Sequence, residues 1–180
     1  MTAIISDTIS PLFDTSAPRR IDAGAWLFRG GDAVRAMFRV VEGAVELTRV
    51  TGAGAPVLLQ RAGSGQVLAE ASACSAACHC DAQAVTAALV QAVPVAAFRA
   101  RLAADPALAE GWAAHLAQAV QTARLRAEIR TLRTVAERPD AWLGEGGALP
   151  ARGAWQDLAA EPGVTREALY RELSRRRRLR

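Results

Sequence analysis

Between residues 20 and 100 the apolar positions fall in short runs separated by glycine-rich turns about every 8–12 residues, the spacing of consecutive antiparallel strands. Ala25-Trp26-Leu27-Phe28 runs into Gly30-Gly31-Asp32, and Met37-Phe38-Arg39-Val40-Val41 runs into Glu42-Gly43. Residues 44–50 then alternate apolar and polar, which a strand with one buried and one wet face requires. Residues 51–55 (Thr-Gly-Ala-Gly-Ala) form a turn before a strand at 56–61, and Gly63-Ser64-Gly65 turns again before Gln66-Val67-Leu68. Further strands are expected at 82–87 and 89–93, ending at Pro94. The series predicts a small antiparallel roll, barrel or sandwich.

Near residue 96 the period changes. Between Val95 and Arg138 there are few breakers, and Asp105-Pro106 is a helix start, with aspartate as N-cap and proline in the first turn. Leu108, Trp112, Leu116, Ala119 and Ala123, then Leu125, Ile129 and Leu132, keep three- and four-residue spacing, which predicts an amphipathic helix of about 28 residues within 105–138. Such a helix packs either against a partner subunit or on its own roll. Arg138-Pro139 is expected to end it; residues 141–143 then read as a short helical piece and 144–147 as a linker. Residues 154–160 form another helical segment, Glu161-Pro162-Gly163-Val164 a tight turn, and Thr165 a cap for a helix from Arg166 to Leu173, the pattern of a helix-turn-helix. The fold class expected is α+β: an antiparallel β-roll over 1–104, a long helix over 105–138 and a helix-turn-helix over 139–180.

Composition sharpens this. All 22 basic residues are arginine, so no lysine Schiff base, amine nucleophile or phosphate-loop lysine exists. The net charge of +4 is unevenly placed: residues 1–120 carry 9 Arg against 10 Asp and Glu, whereas residues 121–180 carry 13 Arg against 8. Five of the last six residues are Arg, which suits either a polyanion-binding end or a solvated basic tail. No nucleophile–base pair, paired-carboxylate motif or phosphate loop stands out, so an enzyme is not expected. No apolar stretch is long enough to span a membrane, and the first seven residues lack the positive start of a secretory signal. Three clustered cysteines do not make a disulfide framework, and the expectation is a cytoplasmic chain with no membrane partner.

The order of elements resembles the CRP/FNR family of bacterial transcription regulators. Phe28-Arg29-Gly30-Gly31-Asp32 is similar to the family's Phe-x-x-Gly-Asp turn, and Phe38-Arg39-Val40-Val41-Glu42-Gly43 to the strand and glycine after it. Leu68-Ala69-Glu70 stands at the family's Gly-Glu, and Thr165-Arg166-Glu167-Ala168-Leu169-Tyr170-Arg171 resembles its recognition helix, together covering residues 20–175. The resemblance implies a sensor roll, a dimerisation helix and a homodimer that reads a pseudo-palindromic double-stranded DNA site, with RNA polymerase as a further candidate partner. The DNA contacts implied are Thr165, Arg166, Glu167, Tyr170 and Arg171, joined by Arg175 and Arg176. Arginine bidentate to guanine and glutamate accepting from cytosine each contribute roughly 1–3 kcal/mol of base discrimination. The sequence stops before the family's wing strands, so a reduced or missing wing is expected, with the Arg run supplying phosphate-seeking charge.

The sensor departs from the family pattern. Cyclic-nucleotide members hold ribose with the glutamate after glycine and phosphate with an Arg-Ser pair. Glu70 is kept, but Cys80-Asp81 replaces Arg-Ser, and an acid there repels phosphate, so cAMP is not the expected effector. Residues 1–30 lack the cysteines of the iron–sulfur branch. Glu70, Cys80 and Asp81 remain the effector-site candidates, and the cofactor stays unassigned. Cys74, Cys78, His79 and Cys80 lie within eight residues that end at Asp81. In an extended segment Cys78 and Cys80 face one way, about 6.5–7 Å apart, and His79 the other. That suits a metal ion, a redox-active thiol pair or ordinary buried cysteines. A metal- or thiol-sensing roll with secondary DNA binding is thus the alternative reading.

Overall fold

The computed structural model describes residues 8–134, 136–144 and 166–178. The chain divides into two compact units, residues 1–117 and 118–180.

In the first unit, eight strands are described: β1 (Arg19–Ile21), β2 (Trp26–Phe28), β3 (Ala36–Glu42), β4 (Val45–Val50), β5 (Pro56–Ala62), β6 (Val67–Leu68), β7 (Asp81–Ala84) and β8 (Ala88–Pro94). They form two four-stranded antiparallel sheets, ordered β1-β8-β3-β6 and β2-β7-β4-β5. Alternation decides which residues lie between the sheets. Phe38, Val40, Leu68 and Val90 of the first sheet meet Val45, Leu47, Ala62 and Ala82 of the second in one buried cluster. The intervening Met37 and Val93 face outward and join a second cluster with Ile9, Leu12, Phe13, Phe98 and Trp112. At its centre Phe98 lies 5.7 Å from Phe13 and 5.0 Å from Trp112, the latter edge-on at 80°. Gly43 makes the β3–β4 turn at φ +82°, where a methyl group would collide with the Ala87 carbonyl oxygen.

The predicted strands are found within one residue of their ends, except that the one expected at 82–87 spans Asp81–Ala84 and stops three residues early. Four elements were not expected: β1, whose Arg-Arg-Ile lacks alternation, the 3-10 helices at Ser10–Leu12 and Glu70–Cys74, and a helix at Val95–Ala104. Helix α1 (Val95–Ala104) follows β8 directly, and α2 (Pro106–Thr131) follows α1 after one residue. That residue, Asp105, is extended at φ −128° and ψ +104°, the conformation a following proline favours. Its carboxylate accepts hydrogen bonds from the backbone N–H of Ala107 (2.9 Å) and Leu108 (3.2 Å), the expected N-cap.

The boundary between the units falls within α2, after Ala117. The second unit contains the rest of α2, α3 (Glu137–Gly144) and α4 (Arg166–Arg178), and buries Ile129, Pro139 and Leu169. The long helix ends at Thr131, short of the expected 138. Thr134 and Glu137 form a reciprocal cap: Thr134 N–H donates to Glu137 Oε2 at 3.0 Å, and Glu137 N–H donates to Thr134 Oγ1 at 3.3 Å. Arg138-Pro139 therefore opens α3 and does not break α2, because proline is tolerated in a first turn. The proposed first helix at 154–160, its turn and Thr165 lie outside the described residues, as does most of the 144–147 linker.

Candidate effector site and nucleic-acid interface

The roll's candidate residues sit on the segment between β6 and β7. Ala69, at the place of the family's glycine, has φ +50°, the only left-handed non-glycine among the described residues. That conformation costs an L-residue about 1–2 kcal/mol. The Ala69 methyl is packed into the inter-sheet core, and its carbonyl accepts from Ser72 N–H at 2.8 Å, which holds the turn. Glu70 then opens a short 3-10 helix, Glu70–Cys74. Its carboxylate is directed at the α2 residue His115, with Glu70 Oε1 3.4 Å from His115 Nε2 and both side chains under one-fifth exposed. The imidazole stacks on Trp112 at 5.2 Å and 24°. Nε2 is buried and lacks a hydrogen bond of good geometry, so the contact is a carboxylate–imidazole approach and not a closed bond.

Asp81 is also engaged. Its Oδ1 accepts from Gly30 N–H at 2.7 Å, and its Oδ2 lies 3.7 Å from Arg29 Nη1. Arg29 is itself stacked 3.5 Å over the Trp26 ring. The Arg29–Asp32 turn is tied to the cysteine segment along its length: Gly31 N–H donates to the Cys78 carbonyl and Cys78 N–H to the Asp32 carbonyl, both at 2.8 Å, and Val34 N–H donates to the Ala76 carbonyl at 2.9 Å. Arg99 of α1 closes the far end, donating from Nε to the Ala73 carbonyl at 2.6 Å.

Cys78 and Cys80 are buried and His79 between them is exposed, the facing expected of an extended segment although the chain bends here before β7; Cys74 is exposed. Among the described residues, no three His, Cys, Asp or Glu side chains gather where they could hold a metal ion. The expected ligand set Cys74, Cys78, His79 and Cys80 is thus not assembled, because core burial of two thiols draws them away from the exposed pair. Burial pushes the Cys80 thiol up to about 11, with Cys78, Asp81 and Glu70 adding to it and Arg49 opposing. Burial, then the Asp32 carboxylate, also raises Cys78. Neither thiol is poised as a thiolate nucleophile or ligand at neutral pH.

Asp81 is thus held by the Gly30 N–H, and Glu70 is turned toward His115. Arg29, Gly30 and His115 were not singled out as site residues from the sequence. Their partners lie between 45 and 52 positions away, so only the Phe-x-x-Gly-Asp turn hinted at them.

On α4, Leu169 is fully buried, while Glu167 and Arg171, one turn apart, are exposed and Tyr170 is half-buried. The helix therefore offers Glu167 and Arg171 on an open face. The helix backbone carries Arg166, Arg175 and Arg176.

Residues 18–105 match the cyclic nucleotide-binding domain family. Among solved structures, the chain is similar to FixK2 from Bradyrhizobium japonicum, at 18% identity and a TM-score of 0.73, over 89% of this chain and 83% of that one. It is similar to the sensor domain of the transcriptional regulator DNR from Pseudomonas aeruginosa, at 25% identity and 0.55, over 73% and 89%. The catabolite activator protein of Thermus thermophilus matches at 24% identity and 0.57, over 93% and 81%. A comparison with curated protein sequences returned no match. Residues 18–105 are thus a cyclic nucleotide-binding domain in an α+β chain. Beyond this domain, the chain shares its fold with FixK2 and the catabolite activator protein and is similar to the sensor domain of the transcriptional regulator DNR.

Proposed function

We propose that the chain is a homodimeric, sequence-specific DNA-binding transcription regulator whose roll answers to a signal other than a cyclic nucleotide held in the usual mode. The observation that carries this reading is α4: a basic helix that buries Leu169 and leaves Glu167 and Arg171 exposed, following a cyclic nucleotide-binding domain and a long helix. Domains are taken as 1–104, 105–131 and the remainder, with the long helix as the dimer seam; Ala113, Ala117, Val120 and Ala127 are small apolar residues exposed along it. Thr165, Arg166, Glu167, Tyr170 and Arg171 are assigned to the major groove, and Arg175 and Arg176 to phosphates. RNA polymerase belongs to the same reading as the machinery such a regulator recruits or blocks. Metal or thiol sensing draws no support from the buried, protonated Cys78 and Cys80.

Selection of duplex DNA by the full chain tests this. The expected result is enrichment of a pseudo-palindrome with half-sites about one helical turn apart. Arg171→Ala should lose about 1–3 kcal/mol of discrimination at one base position. Neutralising Arg175 to Arg178 should weaken all sequences alike and flatten the slope of log K against log salt by about 3–4. Binding without preference over random sequence would refute the proposal.

A further inference from the structure

The outer face of the β1-β8-β3-β6 sheet has a groove of about 280 Å³ beyond the part covered by helices, which the regulator reading leaves unused. Its floor is β3 and β8, where Arg39 and Gln91 are direct cross-strand partners. One wall is the segment before β1, with Asp14 and Pro18; the other is the turn Ser64-Gly65. That turn is fixed: Gly65 N–H donates to the Val40 carbonyl at 2.8 Å, and Ser64 Oγ donates to the Val41 carbonyl at 2.8 Å. The groove is therefore preformed on one side, and its apolar surface comes from Pro18 and Val41.

Its charges are opposite but separate. Arg39 and Asp14 both line it, yet among the described residues they form no ion pair within 4 Å, with each other or with any third group. Asp14 is exposed and Arg39 half-buried, so both charges are open to a ligand in the groove. A ligand carrying both charges closes both at once. The Gln91 side-chain amide on the groove floor donates to the Ser16 carbonyl at a long 3.5 Å, which leaves it hydrogen-bonding capacity for a polar ligand.

We infer that this groove is a binding site for a small zwitterion, an α-amino acid, with its carboxylate on Arg39, its ammonium on Asp14 and an apolar side chain against Pro18 and Val41. The site lies on the outer face of the sheet, separate from the Glu70 and Asp81 positions.

The test uses the full chain and the twenty common L-amino acids. A thermal-shift screen comes first, then titration calorimetry of the best binder against its deamino acid and its decarboxylated amine (for L-leucine, isocaproate and isoamylamine). The expected result is saturable binding of the amino acid, weakened about tenfold or more when either charged group is removed from the ligand. Arg39→Gln should erase the preference for the amino acid over the amine, and Asp14→Asn the preference over the deamino acid. Asp14 is exposed, so its variant tests the idea even where Arg39→Gln lowers stability. Failure of all twenty to bind overturns the inference. Equal binding of the deamino acid overturns it in favour of a carboxylate site, and equal binding of the amine in favour of a cation site. None of these outcomes bears on DNA recognition, which has its own assay.

Discussion

Replacing Asp81 with alanine removes one hydrogen bond and one ion pair, and the two differ in weight. The bond from Gly30 N–H is short, at 2.7 Å, with an acidic acceptor; bonds to charged groups contribute roughly 1.5–3 kcal/mol. Gly30 is exposed, so water replaces the lost acceptor and the cost falls toward the lower end of that range. The Arg29 contact is longer, at 3.7 Å, and the Arg29 side chain is 54% exposed; after solvent screening it contributes at most about 0.5 kcal/mol. The expected loss is therefore about 2 kcal/mol, or a Tm lower by roughly 4–8 °C for a chain of this size. Asp81→Asn keeps an oxygen for Gly30 and gives up only the charge, so it should lose about half as much. Thermal unfolding of the three proteins in the same buffer measures this. If asparagine costs as much as alanine, the charge and not the acceptor holds the turn, and the reasoning fails. If neither variant moves Tm by more than about 1 °C, Asp81 does not anchor the turn to β7 at all.

The cysteines should sort by reactivity: near pH 8 a thiol reagent labels exposed Cys74 quickly, while Cys78 and Cys80 react only on unfolding, and rapid labelling of two or more thiols contradicts their placement. The folded Cys80 thiol titrates at about 11 against an ordinary 9.0, so the unfolded chain ionises first. This contribution is fully present below about pH 9 and is lost as pH climbs to about 11, which urea melts across that window would show. Gly43→Ala should cost about 2 kcal/mol or more, through its left-handed backbone and the clash at Ala87, whereas Gly54→Ala, at φ +80° with open space around it, should cost only about 1–2 kcal/mol. Equal losses in urea melts would refute the clash.

The roll was legible because its strands alternate strictly: Met37 and Phe38, or Ala92 and Val93, go to opposite faces and hence to different cores. Strand β1 was not legible, since Arg19-Arg20-Ile21 owes its extended form to β8 beside it and not to its own pattern. The N-terminal residues Ile9, Leu12 and Phe13 were given no role from the sequence, although they fill the second core. The start of the long helix was readable in Asp105-Pro106, whereas its end was misplaced because Pro139 was weighed and the Thr134–Glu137 cap was not. At the site, the cysteine faces matched those expected of an extended segment. Which groups meet Glu70 and Asp81 did not, because those partners come from other elements, and no local pattern encodes an encounter across so much chain.

Asp105 and Pro106 have a mechanical consequence. A residue before proline is biased away from the helical region and Asp105 is extended, so α1 and α2 do not fuse into one straight helix, and Phe98 and Trp112, one on each helix, meet edge to face. The junction acts as a corner bracket: the extended Asp105 sets the direction in which α2 leaves α1. Since His115 stands one turn beyond Trp112, the approach to Glu70 is set by the angle of that bracket.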